Sequence, residues 1–147
     1  VLGIDFSESS TLALDEAFRI AAEQPGAELH VVHVASELGP TLKLELAGDD
    51  VRSVDADEAS EILKTHVEAR AKACKAAGLP APDKVITQVR VGSAPEQVVR
   101  AAAELDSELI VVGTHGRTGV RRLLLGSVAE SVVRHAGCAV FVVRHKD

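Results

Sequence analysis

The sequence predicts a parallel α/β sandwich, and three observations lead to this class. Short runs that are almost wholly apolar recur along the chain, as in Leu29–Val34, and such runs are typical of strands buried on both faces. Longer segments lie between them, and their apolar residues recur at helical spacing. Most of the links are short. Strands that alternate with helices in this way form parallel sheets covered by helices.

The composition predicts one globular domain over residues 1–147. Hydrophobic residues make up 46% of the chain, which is enough to bury a core. We expect a few N-terminal residues to be missing, because Val1 already lies within a predicted strand. No apolar run reaches the roughly 20 residues of a membrane span, and no signal peptide is visible. A cytoplasmic protein is therefore expected.

Charge and aromatic content argue against nucleic-acid binding. The net charge is −6, whereas nucleic-acid-binding domains present basic surfaces. The chain has three Phe but no Tyr or Trp, so no platform for stacking bases is indicated. Cys74 and Cys138 form neither a zinc nor a Cys-x-x-Cys spacing. We interpret both as small buried hydrophobes in a reducing compartment.

The first part of the chain predicts two strands joined by a helix. Strand one is Val1–Asp5 and strand two is Leu29–Val34. Ser7 or Ser9 can cap the helix between them, and Pro25-Gly26 ends it. Its predicted buried residues share helical spacing and are Leu14, Ala17, Phe18 and Ala21.

No clear period is visible in Ala35–Arg52, which contains glycine and proline breakers. We predict a loop there, with room for a short helical turn around Leu42–Leu46. A long helix then begins near Asp55 and ends before Gly78 and Pro80. Its predicted inner stripe consists of Ala59, Leu63, Val67, Ala71 and Cys74.

The second half predicts three strands and two helices. The strands are Lys84–Val91, Glu108–Gly113 and Cys138–Val143. One helix begins at the capping box Ser93–Glu96, and the last helix begins at Ser127. Residues of these two helices expected in the core are Val98, Val99, Ala102, Leu105, Val128, Val132 and Val133.

A glycine-rich turn between the fourth strand and the last helix is the most informative stretch. Its small residues are Gly113, Gly116, Gly126 and Ser127. Glycine lets the backbone approach an anion, and successive N–H groups form anion-binding nests. The helix N-terminus adds donors and the positive end of its dipole. Alternatively, the glycines serve turn geometry alone, and Ser127 forms with Glu130 a capping box that needs no ligand.

The spacing Gly-x2-Gly-x9-Gly-Ser resembles the ATP-binding signature of the universal stress protein (UspA-like) family. Other segments are similar to this family as well. Ile4–Glu8 resembles its first strand and turn, Leu29–Val34 its second strand, and Val140–Arg144 its last strand. The resemblance spans nearly the whole chain and points to the ATP-binding subgroup.

The resemblance implies a three-layer α/β/α sandwich around a five-stranded parallel sheet in the order 3-2-1-4-5. This architecture is Rossmann-like, of the adenine nucleotide alpha hydrolase-like type. In that order the winding reverses between strands one and four, and ligands bind outside the carboxyl ends at such a switch point. Asp5 and Gly113 end those two strands, so they are expected to face one crevice.

The resemblance also implies a nucleotide site. Asp5 would hold the ribose or a metal-bound water. Taken alone, Asp5 would be interpreted as a turn acid ahead of a helix, but the complete glycine motif favours the ligand. The backbone of Val34 would meet the adenine edge. The residues expected around the phosphates are Gly113, Thr114, His115, Gly116, Arg117, Gly126, Ser127 and Val128. Mg²⁺ or Mn²⁺ is expected to accompany ATP, ADP or AMP, and no metal ligands are assigned.

Little hydrolysis is expected, and the protein is at most a weak ATPase. There is no Walker lysine, and His115 is the one candidate base in the loop. Two other classes stay open. One is a dimeric interaction module that binds no nucleotide. The other is an adenylate-forming enzyme, for which the second histidine of a His-x-Gly-His-like motif is missing.

The predicted last strand indicates a homodimer. Open apolar edge strands are rare, and pairing Cys138–Val143 with its copy across a two-fold axis would cover this one. The resemblance to the universal stress protein family implies the same, because members of that family commonly dimerise through this strand. Among the histidines, His30 and His33 point to opposite faces of a strand and cannot readily share a metal ion. His66 and His145 are expected at the surface.

Overall fold

The computed structural model describes residues 1–38, 40–46, 50–114 and 125–144. These residues form seven strands and four helices and confirm the predicted α/β class. In chain order the elements are β1 (Leu2–Ile4), α1 (Glu8–Ala22), β2 (Glu28–Leu38), β3 (Thr41–Glu45), β4 (Val51–Val54), α2 (Ala56–Ala76), β5 (Lys84–Val91), α3 (Ala94–Glu104), β6 (Leu109–Gly113), α4 (Ser127–His135) and β7 (Ala139–Val143).

Five of these strands build a parallel sheet. β1 lies between β2 and β6, β5 pairs with the far side of β2, and β7 pairs with the far side of β6. The chain therefore winds outward in one direction from β1 to β5 and in the other from β6 to β7. The carboxyl ends of β1 and β6 meet where this direction reverses, which is where sheets of this kind bind ligands.

The remaining two strands correct the prediction of a five-stranded sheet. β3 pairs antiparallel with the end of β2, and β4 pairs antiparallel with β3. The predicted loop Ala35–Arg52 and its helical turn around Leu42–Leu46 are therefore wrong, and the five-strand order describes only part of the sheet. Apolar and polar residues alternate in β3, so Leu42 and Leu44 share one face of the strand. Leu44 is fully buried in the core.

Helices cover the two faces of the sheet in pairs. One buried cluster contains residues of α1 and α2, such as Phe18 and Leu63. The other contains residues of α3 and α4, such as Val132. Val111 and Val112 are neighbours in β6 yet belong to different clusters, because alternate residues of a strand face opposite sides. The molecule thus has three layers.

Three residues predicted to be buried are exposed instead: Leu105 by 36%, Val128 by 41% and Val133 by 49%. Leu105 is the C-cap of α3 and lies past its last turn. Val128 and Val133 flank the narrow buried stripe of the short helix α4, which includes Val132.

Both cysteines are free; Cys74 is buried as predicted, and Cys138 is only half-buried. None of the helices in the described ranges is long and apolar enough to cross a membrane.

Candidate functional site

The carboxyl ends of β1, β2 and β6 meet at one edge of the sheet. β1 ends at Ile4, which lies opposite His33 of β2, so the next residues along the two strands are Asp5 and Val34. On the other side of β1, the register with β6 brings Thr114 to the same level. Strand pairing therefore brings together three residues that the sequence analysis assigned to one site.

Asp5 is held in place by the first turn of α1. Its Oδ1 accepts hydrogen bonds from the Ser7 amide at 3.1 Å and from the Ser7 hydroxyl at 2.5 Å. Ser7 is the N-cap of α1, and its Oγ accepts from the Ser10 amide at 3.2 Å. The interpretation of Asp5 as a turn acid ahead of a helix is thus confirmed. Among the described residues, the side-chain hydrogen bonds of Asp5 involve only Oδ1.

Phe6, the next residue, carries backbone strain. Its φ is 60°, a conformation that bulky L-residues rarely adopt. Burial of its ring offsets this strain, because the ring packs against His33 at 4.8 Å and His66 at 5.1 Å between centroids. His66, which was expected at the surface, is half-buried, and its Nε2 is buried.

The ring of His33 fixes the end of β1. Its Nδ1 donates to the carbonyl oxygen of Ile4 at 2.9 Å. Burial lowers the pKa of His33, although the hydrogen bond to Ile4 and the charges of Asp5 and Glu45 act in the opposite direction. His33 is therefore a neutral, structural residue beside the candidate site.

Gly113 ends β6 at the point where α1 approaches most closely. A Cβ at Gly113 would lie 2.9 Å from both the backbone carbon and the backbone oxygen of Ser9. Cβ atoms essentially never come so close to backbone atoms. Packing against α1 is therefore by itself a sufficient reason for glycine at this position. This packing role was not predicted, because no local signal in the sequence indicates it.

The glycine-rich loop leaves the sheet at Thr114 and returns at Gly126. The Gly126 amide donates to the Thr114 carbonyl at 2.7 Å, and the Thr114 amide donates to the Val143 carbonyl at 2.9 Å. These bonds tie both ends of the loop to the edge that carries Asp5. His115, Gly116 and Arg117 lie outside the described residues, as does His145.

The start of α4 corrects the predicted capping box. Gly126 is the N-cap, Ser127 is the first helical residue, and no side chain caps the helix. Glu130 instead accepts a hydrogen bond from Arg134 at 2.8 Å. The first hydrogen bond within the helix runs from the Glu130 amide to the Gly126 carbonyl at 2.9 Å. The three preceding amides, from Ser127 onward, have no acceptor within the helix.

The described residues contain no group of three or more His, Cys, Asp or Glu that could hold a metal ion by itself. His33 faces Phe6, whereas His30 contacts Gln88 of β5 at 3.1 Å. A metal at the candidate site would therefore depend on Asp5 together with oxygens of a ligand and of water.

This architecture defines a class: α/β proteins whose parallel strands are wound in opposite directions from a switch point in the sheet. The profile of the universal stress protein family matches residues 1–144. The universal stress protein MJ0531 of Methanocaldococcus jannaschii is 33% identical over 144 residues, which cover 98% of this chain and 80% of that protein. The chain belongs to the universal stress protein family.

Solved structures agree with this assignment. The structure of MJ0577, also from Methanocaldococcus jannaschii, matches with a TM-score of 0.68 and 25% identity, covering 99% of this chain and 95% of that one. A universal stress protein solved in complex with cAMP matches with a TM-score of 0.66 and 28% identity, covering 97% and 93%. Both share the α/β fold described above.

Proposed function

We propose that the chain is a cytoplasmic regulatory protein of the stress response that binds an adenine nucleotide, ATP first among them, between β1 and β6. The observation that carries the proposal is the hydrogen bond from Gly126 to Thr114, which brings the N-terminus of α4 to the edge occupied by Asp5. Support also comes from the relative solved with cAMP.

The N-terminus of α4 suits the outer phosphates. The amides of Ser127 and Val128 and the Ser127 hydroxyl would donate to phosphate oxygens, aided by the helix dipole. Glu130 is engaged by Arg134 and does not compete for these donors. Gly126 has a φ of −61° and a ψ of 151°, which any residue can adopt. Close approach of a phosphate to the backbone would explain the lack of a side chain there.

The loop that starts at Gly113 and Thr114 would wrap the α- and β-phosphates. His115 and Gly116 continue this loop, and Arg117 would screen the outer phosphate. Because the loop ends are tied together, a ligand held by the loop would also contact the start of α4.

Asp5 and Val34 would hold the nucleoside end. Asp5 would contact the ribose or a metal-bound water, and the backbone of Val34 would meet the adenine edge. Mg²⁺ usually takes one or two carboxylates and completes its shell with phosphates and water, so a single Asp5 fits it. The ion, Mg²⁺ or Mn²⁺, would neutralise phosphate charge.

We expect slow hydrolysis or none. His33 is the histidine next to Asp5 among the described residues, and it is a poor general base for water. Its Nδ1 donates to Ile4, and its other ring nitrogen, Nε2, which could accept a proton, is buried away from water. Nucleotide binding itself would thus be the regulatory event, and it would not be followed by rapid hydrolysis.

Calorimetric titration with ATP and Mg²⁺ tests this function. Asp5→Ala, Gly126→Ala and Ser127→Ala should each weaken binding by about tenfold or more, since each change removes or obstructs a ligand contact. Asp83→Ala removes an exposed carboxylate next to β5 and should leave affinity unchanged. A folded wild type that binds none of ATP, ADP and AMP would contradict the proposal.

A homodimer through β7 is the second part of the proposal. β7 lies at an edge of the sheet, with one side unpaired among the described strands. Phe141 on this strand is 41% exposed, and Val133 on the adjoining helix α4 is 49% exposed. Pairing of two β7 strands across a two-fold axis would satisfy the backbone and cover both side chains.

Phe141→Lys should convert the dimer to a monomer, because two charges would face each other across the axis. Leu79→Lys, at an exposed position that is 54% accessible, is the matched control and should stay dimeric. Sedimentation velocity at micromolar concentration distinguishes the two states. A monomeric wild type would rule out this interface.

A dimeric interaction module that binds no nucleotide is the alternative function. The contact between Gly113 and Ser9 favours it, because packing alone explains one glycine of the signature. The same titration separates the two functions: this module would dimerise normally and show no heat with any adenine nucleotide.

A further inference from the structure

A second concave site lies beside α2, apart from the residues assigned to the nucleotide. A cavity of about 480 Å³ opens between the end of β3 and α2. Three apolar and four polar side chains line it: Phe6, Leu46, Ile62, Glu58, Glu61, Thr65 and His66. This volume lies in the usual range for small-molecule sites. One wall, Leu46, follows β3 directly, so the antiparallel ribbon helps to form the cavity.

His66 gives this cavity a polar anchor. Its Nε2 is buried and has no hydrogen-bond partner within the described part of the chain. Its ring meets the ring of Phe6 edge-on, with an interplanar angle of 86°, which fixes its orientation. Burial lowers the pKa of His66, and nearby Arg70 adds to this effect, so the ring is neutral and Nε2 can accept a hydrogen bond. A hydrogen-bond donor on a ligand would offset the free-energy cost of burying this unpaired nitrogen.

The mouth of the cavity is negatively charged. Glu58 and Glu61 both line it and are exposed. Lys64 approaches Glu61 at 3.9 Å and balances part of its charge. No cation among the described residues pairs with Glu58. The complementary ligand therefore carries positive charge.

We infer that this cavity binds a small amphipathic organic cation, an aromatic or aliphatic body bearing a protonated amine. The body packs on Phe6, Leu46 and Ile62. An N–H group of the ligand donates to the Nε2 of His66, and the positive charge faces the two glutamates. This inference does not rest on nucleotide binding, because none of the lining residues is assigned to the nucleotide.

Tryptamine is a suitable probe, since it combines an indole with a primary ammonium group. The protein contains no Trp or Tyr, so indole emission comes from the ligand alone. We expect a saturable blue shift of this emission on titration with protein. Indole-3-propionate has the same ring with a negative charge and should bind at least about tenfold more weakly. Absence of binding, or equal binding of both probes, would overturn the inference.

Variants and shift mapping locate the bound probe. His66→Phe keeps a ring against Phe6 but removes Nε2, and it should weaken tryptamine binding by about tenfold or more. His135→Phe, on the exposed end of α4, is the matched control and should bind normally.

If His66→Phe does not fold, amide shifts in the wild type decide the question. Tryptamine should move the signals of Ile62, Thr65 and His66. Shifts confined to another surface, or unchanged affinity in a folded His66→Phe, would refute the assignment.

Discussion

Residues at the candidate site have structural roles that are independent of any ligand. Gly113 makes room for the backbone of α1, and Ser7 both caps α1 and orients Asp5. The glycine motif identified Gly113 but could not separate packing from binding, and Ser7 was predicted only as a possible helix cap. The contact between Gly113 and Ser9 joins segments far apart in the chain, and therefore only the folded structure reveals it.

Gly113→Ala should destabilise the protein by about 1–3 kcal/mol, the usual cost of forcing an extra methyl group into a packed position. Its Cβ would meet the Ser9 backbone at 2.9 Å. Gly137→Ala is the matched control, since a Cβ there meets nothing within 4 Å. Urea unfolding measures both variants. Equal midpoints for the two would show that α1 does not constrain Gly113.

Ser7→Ala should lower stability by about 1 kcal/mol through loss of the helix cap. It should also weaken ATP binding, because Asp5 loses one of the two hydrogen bonds that orient its carboxylate. Asp55→Ala removes the comparable cap of α2, where Asp55 accepts from the Glu58 amide at 2.8 Å. That control should lose stability and keep its ATP affinity. Parallel loss of ATP affinity in both variants would argue against a positioning role for Ser7.

At the scale of elements, strand and helix periods predicted nine of the described segments, and the ribbon β3–β4 was missed. Glycine and proline occur in the turns of hairpins as well as in loops, so their presence in Ala35–Arg52 did not distinguish a hairpin from a loop. The alternation in Thr41–Glu45 was the signal available. At α4, the start of the helix was predicted correctly but the cap was wrong. Ser127 and Glu130 have the spacing of a capping box, yet the helix begins one residue earlier than that motif requires, with Gly126 as the N-cap.

Leu44→Ala tests the ribbon, and we expect a loss of about 2–5 kcal/mol for truncating a fully buried leucine. Leu44 is 0% exposed, whereas Val51 on β4 is 51% exposed. Val51→Ala, the control on the same ribbon, should change stability by less than about 0.5 kcal/mol. A neutral Leu44→Ala in urea unfolding would mean that the ribbon does not belong to the core.

For the whole molecule, the alternation of strands and helices was sufficient to predict the α/β class, whereas the switch point was predicted from the strand order that the family resemblance implies. Neither predicted the packing of Phe6 between His33 and His66, because this cluster depends on the strained turn after β1. His33 is buried and His66 is half-buried, and both affect global stability.

Stability should fall as the pH drops below about 6.5, the ordinary pKa of an unfolded histidine. Burial lowers the pKa of His33 and His66 in the folded protein. The unfolded chain therefore takes up protons first, and the folded state loses relative stability. Asp5 and Glu45 oppose the shift of His33, while Arg70 adds to that of His66. The slope for His33 is at most about 1.4 kcal/mol per pH unit, and the half-buried His66 contributes less.

Urea unfolding between pH 7.5 and 5.5 measures this slope. The double variant His33→Gln/His66→Gln should show a shallower pH dependence, whatever its absolute stability. Val51→Ala, which changes an exposed side chain without an ionisable group, should keep the wild-type slope. Equal slopes in all three proteins would show that His33 and His66 do not set the acid sensitivity.

The central claim is that a nucleotide binds where β1, β6 and α4 meet, and amide shift mapping during titration with ATP and Mg²⁺ tests it most directly. The account predicts saturable shifts clustered at Asp5, Val34, Thr114 and Gly126–Val128, with β5 unaffected. Shifts spread over another surface, or none at saturating ATP, would contradict it.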